Sequence, residues 1–109
     1  MLFRSLFSKD AAISALNAGK VVFFAGGTGH PYFSTDTATV LRAIEIEAEV
    51  ILLAKAIDGI YDSDPKVNPS AKKYDTITIG DVIDQRLAAM DLSASIMCME
   101  NKIDRKSVV

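Results

Sequence analysis

The order of apolar and polar residues predicts alternating strands and helices along the chain. Two continuous apolar runs, residues 21–25 and 50–54, are typical of strands that are covered on both faces. The stretch between them has helical periodicity, with an ion pair predicted between Arg42 and Glu45 on its outer side. This spacing leaves room for a crossover, so the pattern predicts a right-handed βαβ unit with two parallel strands.

Further helices are predicted from their capping residues. Ser8 is placed to cap the first helix, and Gly19 stands where a left-handed residue ends it. Thr78, with Asp81 three residues on, gives a capping-box-like start to a later helix. Asp91 is placed at the N-cap of the last predicted helix. This alternation of helices and strands is typical of an α/β fold.

Composition narrows the class of protein and of ligand. The chain has 109 residues, 50% apolar and 24% charged, which suits one compact domain. A net charge of −2 and a sequence pI near 5.2 exclude the broad positive field that nucleic acid or an anionic membrane requires. No apolar run approaches the roughly 18 residues that span a bilayer, and the single cysteine, Cys98, predicts a buried side chain in a reducing compartment. We expect a soluble cytoplasmic protein.

The glycine turn after the first apolar run is a candidate anion site. Gly26, Gly27 and Gly29 let the backbone approach a phosphate, and the helix that follows points its N–H groups the same way. The alternative is a tight strand-to-helix turn with Thr35 as an ordinary N-cap, and composition leaves both open. The turn fits neither a Walker A loop nor G-x-G-x-x-G. His30 lacks partner ligands, so it is better explained as a turn or ligand-contacting residue than as a metal ligand.

A second candidate lies in residues 55–75, whose Asp, Gly, Pro and Asn content predicts a long loop. Asp58, Asp62 and Asp64 are close enough in sequence to hold magnesium, but they lack the order of a calcium loop. An Asx-rich turn with solvated carboxylates is the alternative that the pattern favours. Tyr61 adds a flat apolar surface that suits contact with a nucleotide base.

Two motifs in these segments are more specific than a glycine turn. "TGHPYFSTD", from residue 28, fits T-G-x-P-[FY]-F-[ST]-T-D, and "DGIYDSDP", from residue 58, fits D-G-[VI]-Y-x-x-D-P. With "YDTIT" and "AAMDLSAS", they make the chain similar to the bacterial uridylate (UMP) kinases of the amino-acid kinase superfamily, from about residue 8 to residue 103. The resemblance implies a parallel-sheet α/β sandwich of the amino-acid kinase type, present as a C-terminal fragment. Residues 1–109 would form one partial domain whose two ends depart from the family's pattern.

The resemblance also implies roles for particular residues. The UMP acceptor would be held by Thr28, Gly29, His30, Pro31, Tyr32, Phe33, Ser34 and Thr35, with His30 replacing the family's usual asparagine. The ATP side would comprise Lys55, Tyr61 and Asp64. Asp91 matches an aspartate that orients the phosphate-binding lysine and helps to order the metal-bound phosphates, and Asp36 matches an acidic position beside the acceptor. Asp91 as a simple N-cap and Asp36 as a first-turn acid are compatible alternatives.

The activity implied by the resemblance is phosphorylation of UMP to UDP with ATP and Mg²⁺, in pyrimidine nucleotide synthesis. Intact relatives form homo-hexamers. The glycine-rich loop and phosphate-binding lysine of the family have no match in this sequence, so we expect little turnover from the chain alone. The alternative is a nucleotide-binding module without catalysis, alone or completed by another chain. Aspartate and acetylglutamate kinases fit less well, because the aromatic pair Tyr32 and Phe33 suits a nucleotide better than a small amino acid.

Overall fold

The computed structural model of the protein describes residues 5–108, which form an α/β fold. The elements, in chain order, are α1 (Lys9–Asn17), α2 (Thr35–Glu45), β1 (Val50–Ala54), α3 (Ile79–Asp84), α4 (Leu92–Glu100) and β2 (Asp104–Val108). The connection between β1 and α3 is the aspartate-rich loop that the sequence predicts. Within the described residues, none of the helices combines the length and the apolar character that crossing a membrane requires.

The capping signals at the helix ends are confirmed. Ser8 caps α1 and Asp91 caps α4, because each side chain accepts a backbone N–H group of the first turn. Thr78 accepts the N–H of Asp81 at 3.1 Å and donates its hydroxyl to that carboxylate at 2.7 Å. Gly19 follows α1 with φ of +77°, where a residue with a side chain would be strained. These signals act over a few residues, so the sequence alone locates them.

The sheet differs from the prediction. β1 pairs in parallel with β2, with Val50 opposite Asp104, so the partner of β1 follows it in the chain. The strand predicted for residues 21–25 is wrong, because this segment joins no sheet within the described residues, and Val21 and Phe23 are 81% and 84% exposed. A strand needs a hydrogen-bonded neighbour as well as β-forming residues. The predicted βαβ unit is therefore wrong in its first strand.

The hydrophobic core lies on one face of β1. Ile51 and Leu53 point into it and are buried among residues of α2 and α4. The buried members of the core are Val40, Ala43, Ile51, Leu53, Met90, Ala94 and Cys98. Burial of Cys98 to 1% exposure agrees with the expected core role of this cysteine. The opposite face of β1 is open within the described residues, since Leu52 is 62% exposed, so the prediction of a strand covered on both faces is wrong here.

Candidate functional site

Asp91 joins the starts of two helices. Its carboxylate caps α4 by accepting the N–H of Ala94 at 2.8 Å. The same carboxylate accepts hydrogen bonds from the hydroxyl groups of Ser34 and, at 3.3 Å, Thr37. Ser34 is also the N-cap of α2, where it accepts the N–H of Thr37. The alternative that Thr35 caps this helix is therefore wrong, and the two helix N-termini converge on one carboxylate.

Asp36 and Lys55 extend this cluster to the end of the strand. The backbone N–H of Asp91 donates to Asp36 Oδ2 at 3.2 Å, and Asp36 Oδ1 lies 3.5 Å from Lys55 Nζ. Lys55 directly follows β1, so the lysine lies at the carboxyl end of the strand. This is the edge at which ligands bind in α/β proteins. We call the five residues the Asp91 network: Ser34, Asp36, Thr37, Lys55 and Asp91.

Asp91 is held in its charged form. Burial raises its pKa, but hydrogen bonds from Ser34, the Ala94 amide and Thr37, together with the charge of Lys55, outweigh that effect and hold the pKa below the ordinary value of 3.8. The carboxylate is therefore ionised at neutral pH. Beside two helix N-termini and a lysine, it is a fixed negative charge that orients donors around it.

The glycine turn and its aromatic residues lie directly before α2. Thr28 fixes the turn by accepting the N–H of His30 at 3.2 Å. The rings of His30 and Phe33 meet edge to face, 6.4 Å between centroids. Tyr32 is fully exposed and has φ of +70°, a left-handed conformation that costs a residue with a side chain roughly 1 kcal/mol. A strained and exposed tyrosine beside an exposed Phe33 suits contact with a planar ligand.

Arg42 fixes the turn from the side of α2. Its Nη2 donates to the carbonyl oxygen of Gly27 at 3.3 Å, and its guanidinium lies 3.7 Å from the centre of the Phe7 ring. The predicted ion pair with Glu45 is confirmed, at 2.5 Å.

A cleft of about 580 Å³ lies between the turn, α2 and β1, and Thr35 and Arg42 are among its lining residues. A second cleft, of about 670 Å³, lies beside α3 and α4 and is lined by none of the predicted site residues.

The predicted ATP-side residues lie in the loop between β1 and α3. Tyr61 donates its hydroxyl to Asp58 Oδ1 at 2.7 Å, and Asp64 accepts the N–H of Lys66 at 2.9 Å. Asp62 accepts the N–H of Lys72 at 2.8 Å and closes the loop on itself. These carboxylates bond to the loop's own donors, as the Asx-rich alternative predicts.

The structure therefore brings together part of the predicted set. Contacts join Ser34, Asp36, Lys55 and Asp91. Of the remaining acceptor residues, Thr35 begins α2 and the others lie on the turn that leads into it. Tyr61 and Asp64 make their contacts inside the loop that begins at Lys55. The sequence offers Thr37 only as a hydroxyl donor for an anion at the glycine turn, and its contact with Asp91 was not predicted. The position of Thr37 in the sequence could have indicated this contact, because the third residue of a helix capped by Ser34 lies next to the capping side chain.

Comparison with known proteins identifies the class of protein. The profile of the Amino acid kinase family matches residues 3–105, and the chain belongs to that family. It is similar to UMP kinase from Bacillus anthracis, with 36% sequence identity and a TM-score of 0.88 over 93% of this chain. UMP kinase from Ureaplasma parvum matches 91% of the chain with 42% identity and a TM-score of 0.83. Uridylate kinase from Archaeoglobus fulgidus matches 77% with 32% identity and a TM-score of 0.66.

These matches confirm the resemblance to UMP kinases that the two motifs indicate, and the α/β fold of the amino-acid kinase type. The chain spans 42%, 43% and 41% of the three matched chains, in the order given. It therefore corresponds to less than half of an intact relative.

Proposed function

We propose that the chain carries the UMP-accepting segment and part of the ATP side of a UMP kinase, which forms UDP in pyrimidine nucleotide synthesis in the cytoplasm. The observation that carries the proposal is the Asp91 network. Through Ser34 it reaches the segment that the family resemblance assigns to UMP, and through Lys55 it reaches the residues assigned to ATP. Phosphoryl transfer depends mainly on positioned charge, and this network positions a lysine and two aspartates.

In the proposed reaction, a phosphate oxygen of UMP forms a bond to the γ-phosphorus of ATP. The bond from that phosphorus to the bridging oxygen breaks, and ADP leaves with the electron pair. The glycine turn and the N-terminus of α2 supply N–H groups for the UMP phosphate, and Tyr32 and Phe33 supply an apolar surface for its base. Lys55 offers positive charge to the ATP phosphates, and Asp36 holds its ammonium group in place.

Magnesium fits this site only as an ion carried by the nucleotide. Within residues 5–108, no group of three or more His, Cys, Asp or Glu side chains is arranged to hold a metal ion. Asp36 is engaged by Lys55, and Asp91 by two hydroxyl groups and an amide. Mg²⁺ commonly binds through ATP phosphates and one or two carboxylates, and when bound it neutralises charge on the transferring group.

A second function is favoured by the extent of the match. Because the chain spans 42% of the Bacillus anthracis UMP kinase, we also propose a nucleotide-binding module without catalysis, alone or completed by another chain. This proposal rests on the expectation that the chain lacks the glycine-rich loop and phosphate-binding lysine that the resemblance implies for the family. Under either proposal the chain binds nucleotides, and the two differ in turnover.

Calorimetric titration of the chain with UMP, paired with an assay of UDP formation from UMP, ATP and Mg²⁺, tests both proposals. We expect UMP to bind, and Phe33→Ala to weaken it at least about fivefold, because base stacking on an aromatic ring is worth roughly 1–3 kcal/mol. Leu52→Ala is the control, since Leu52 is a large apolar residue that is 62% exposed and lies outside both the acceptor segment and the cleft beside it. We expect little UDP from the chain alone, so binding without UDP supports the module, and UDP formation at a rate near that of an intact UMP kinase would contradict it and assign catalysis to this chain.

The same titration with ATP tests the role of Lys55. Lys55→Met removes the ammonium group that lies beside Asp36, and we expect ATP to bind about tenfold more weakly. Lys66→Met, in the exposed part of the loop, is the control and is expected to bind ATP like the wild type. A folded chain that binds neither UMP nor ATP would overturn both proposed functions.

A further inference from the structure

Asp58 and Lys73 both contact Tyr61, which the family resemblance assigns to the ATP side. Asp58 uses both carboxylate oxygens, because Oδ1 accepts the Tyr61 hydroxyl at 2.7 Å and Oδ2 lies 3.2 Å from Lys73 Nζ. The backbones of Tyr61 and Lys73 also meet in an antiparallel β-bridge. The three side chains therefore form a chain of contacts across the two limbs of the loop, which we call the Asp58 clasp.

The aliphatic stem of Lys73 is packed against the loop, in addition to the ion pair that its ammonium group makes with Asp58. It lies over Gly59, where an added Cβ would be 2.6 Å from Lys73 Cε and 3.4 Å from Cδ. Glycine at this position thus leaves the space that the lysine stem occupies. Packing, the ion pair and the backbone bridge all fix the same side chain beside Asp58, so the clasp rests on three different kinds of contact.

The protonation equilibria agree with this geometry. The hydrogen bond from Tyr61, and then that from Lys73, lower the pKa of Asp58 below its ordinary value. In turn, the hydrogen bond to Asp58 raises the pKa of Tyr61, because removing the phenol proton would place two negative charges together. At neutral pH the clasp therefore has a charged aspartate that accepts and a neutral tyrosine that donates.

We propose that Asp58 and Lys73 are positioning residues that hold the Tyr61 ring where it contacts the adenine base of ATP, a role that rests on the proposed nucleotide-binding function. A tyrosine side chain on a loop samples several rotamers, and ATP binds more weakly when the ring must be ordered at the moment of binding. The clasp restricts the ring in advance. Neither residue touches the nucleotide in this proposal, so each acts only through Tyr61.

The expected effect is modest because the clasp is exposed. The Lys73 and Asp58 side chains are 44% and 51% exposed, and ion pairs of that kind are screened by solvent. We therefore expect Lys73→Met and Asp58→Asn each to raise the Kd for ATP about threefold, with the Kd for UMP unchanged. Lys73→Met keeps the stem over Gly59 and removes only the ammonium group.

The experiment combines ATP calorimetry on the full chain with an absorbance titration of its tyrosines. Subtracting the titration of Tyr61→Phe isolates the Tyr61 phenol, whose pKa we expect to fall towards its ordinary value in Asp58→Asn. Lys72→Met is the matched control, because Lys72 is an exposed lysine next to Lys73. It is expected to leave both ATP binding and the Tyr61 pKa as in the wild type.

The outcomes separate the clasp from the function on which it rests. A wild-type chain that binds no ATP overturns the proposed function and the clasp together. If the wild type binds ATP and both clasp variants bind it equally well, only the clasp is overturned. A Tyr61 pKa that does not move in Asp58→Asn also overturns it, since the contact on which positioning depends would then be missing.

Discussion

Two groups of aspartates in the protein differ in how far along the sequence their hydrogen-bond partners lie. Asp36 and Asp91 connect the starts of α2 and α4 to the end of β1, with contacts between residues more than fifty positions apart. Asp62 and Asp64 bond to backbone amides of their own loop, ten and two residues away. The first group joins elements of the fold, and the second shapes one segment.

The contrast teaches that an aspartate's neighbours in sequence do not reveal its role. Asp91 and Asp64 both follow the local rules for carboxylates, one as a helix cap and one in an Asx turn. Only Asp91 also receives hydroxyl donors from another helix, and those donors bring it into contact with the proposed acceptor segment. Loss of each carboxylate should therefore have effects of different size and reach.

The largest effect is expected from Asp91→Ala. The change removes the cap of α4 and leaves the Thr37 hydroxyl, in a residue only 5% exposed, without its acceptor. A lost cap costs about 1 kcal/mol and an unsatisfied buried donor about 1–3 kcal/mol, so we expect destabilisation by roughly 2–4 kcal/mol. Urea unfolding followed by circular dichroism measures it.

Two further variants sharpen this result. Asp91→Asn keeps an oxygen that can cap the helix, and we expect it to retain part of the stability. Asp64→Ala removes a carboxylate whose bond lies within the loop, and we expect a much smaller shift in the urea midpoint. Equal losses in Asp91→Ala and Asp64→Ala would contradict the distinction between the two groups.

An intermediate effect is expected from acid. The pKa of Asp91 in the folded protein lies below the ordinary value of 3.8, so the unfolded chain takes up the proton first as pH falls. Stability contributed by this carboxylate is thus present above about pH 4 and is lost as pH falls through the folded pKa. Urea midpoints from about pH 5 to about pH 2.5 should fall less steeply in Asp91→Asn.

Asp58 provides the comparison for this acid dependence. Its pKa is also lowered, chiefly by the Tyr61 hydrogen bond, but its side chain is exposed and solvent screens its charge. Asp58→Asn should therefore keep a dependence on pH close to that of the wild type. A flatter profile in Asp58→Asn than in Asp91→Asn would show that the loop, and not the Asp91 network, controls stability in acid.

The smallest effect is expected from Asp62→Ala. This carboxylate accepts the Lys72 amide within an exposed loop, so its loss should change the unfolding free energy by no more than about 0.5 kcal/mol. Hydrogen exchange at the Lys72 amide should nevertheless accelerate, because that amide loses its acceptor. Protection of core amides in α4 should stay as in the wild type, and its general loss would be the contrary result.

The sequence predicts those parts of the fold and site that depend on short-range contacts. Caps at Ser8, Thr78 and Asp91, and the Arg42–Glu45 ion pair, are each specified within about four residues. The acceptor and aspartate motifs lead to the right family because their order is specific. Their assigned roles in binding and catalysis stay predictions.

What the sequence does not predict depends on distant partners. Residues 21–25 have the composition of a strand, yet whether they form one is decided by a neighbouring strand elsewhere in the chain. The hydrogen bonds from Ser34 and Thr37 to Asp91 cannot be predicted from a local pattern either, since donor and acceptor are more than fifty residues apart in sequence. Alternating exposure along β1 follows from which helices cover it.

The pairing of β1 with β2 has a consequence for the order in which the protein folds. Val50 and Asp104 are partners across a long stretch of chain, and closing so long a loop is entropically unfavourable until other contacts bring its ends together. We therefore expect the helices to collapse onto β1 first and the second strand to join last, as the final addition to a preformed nucleus.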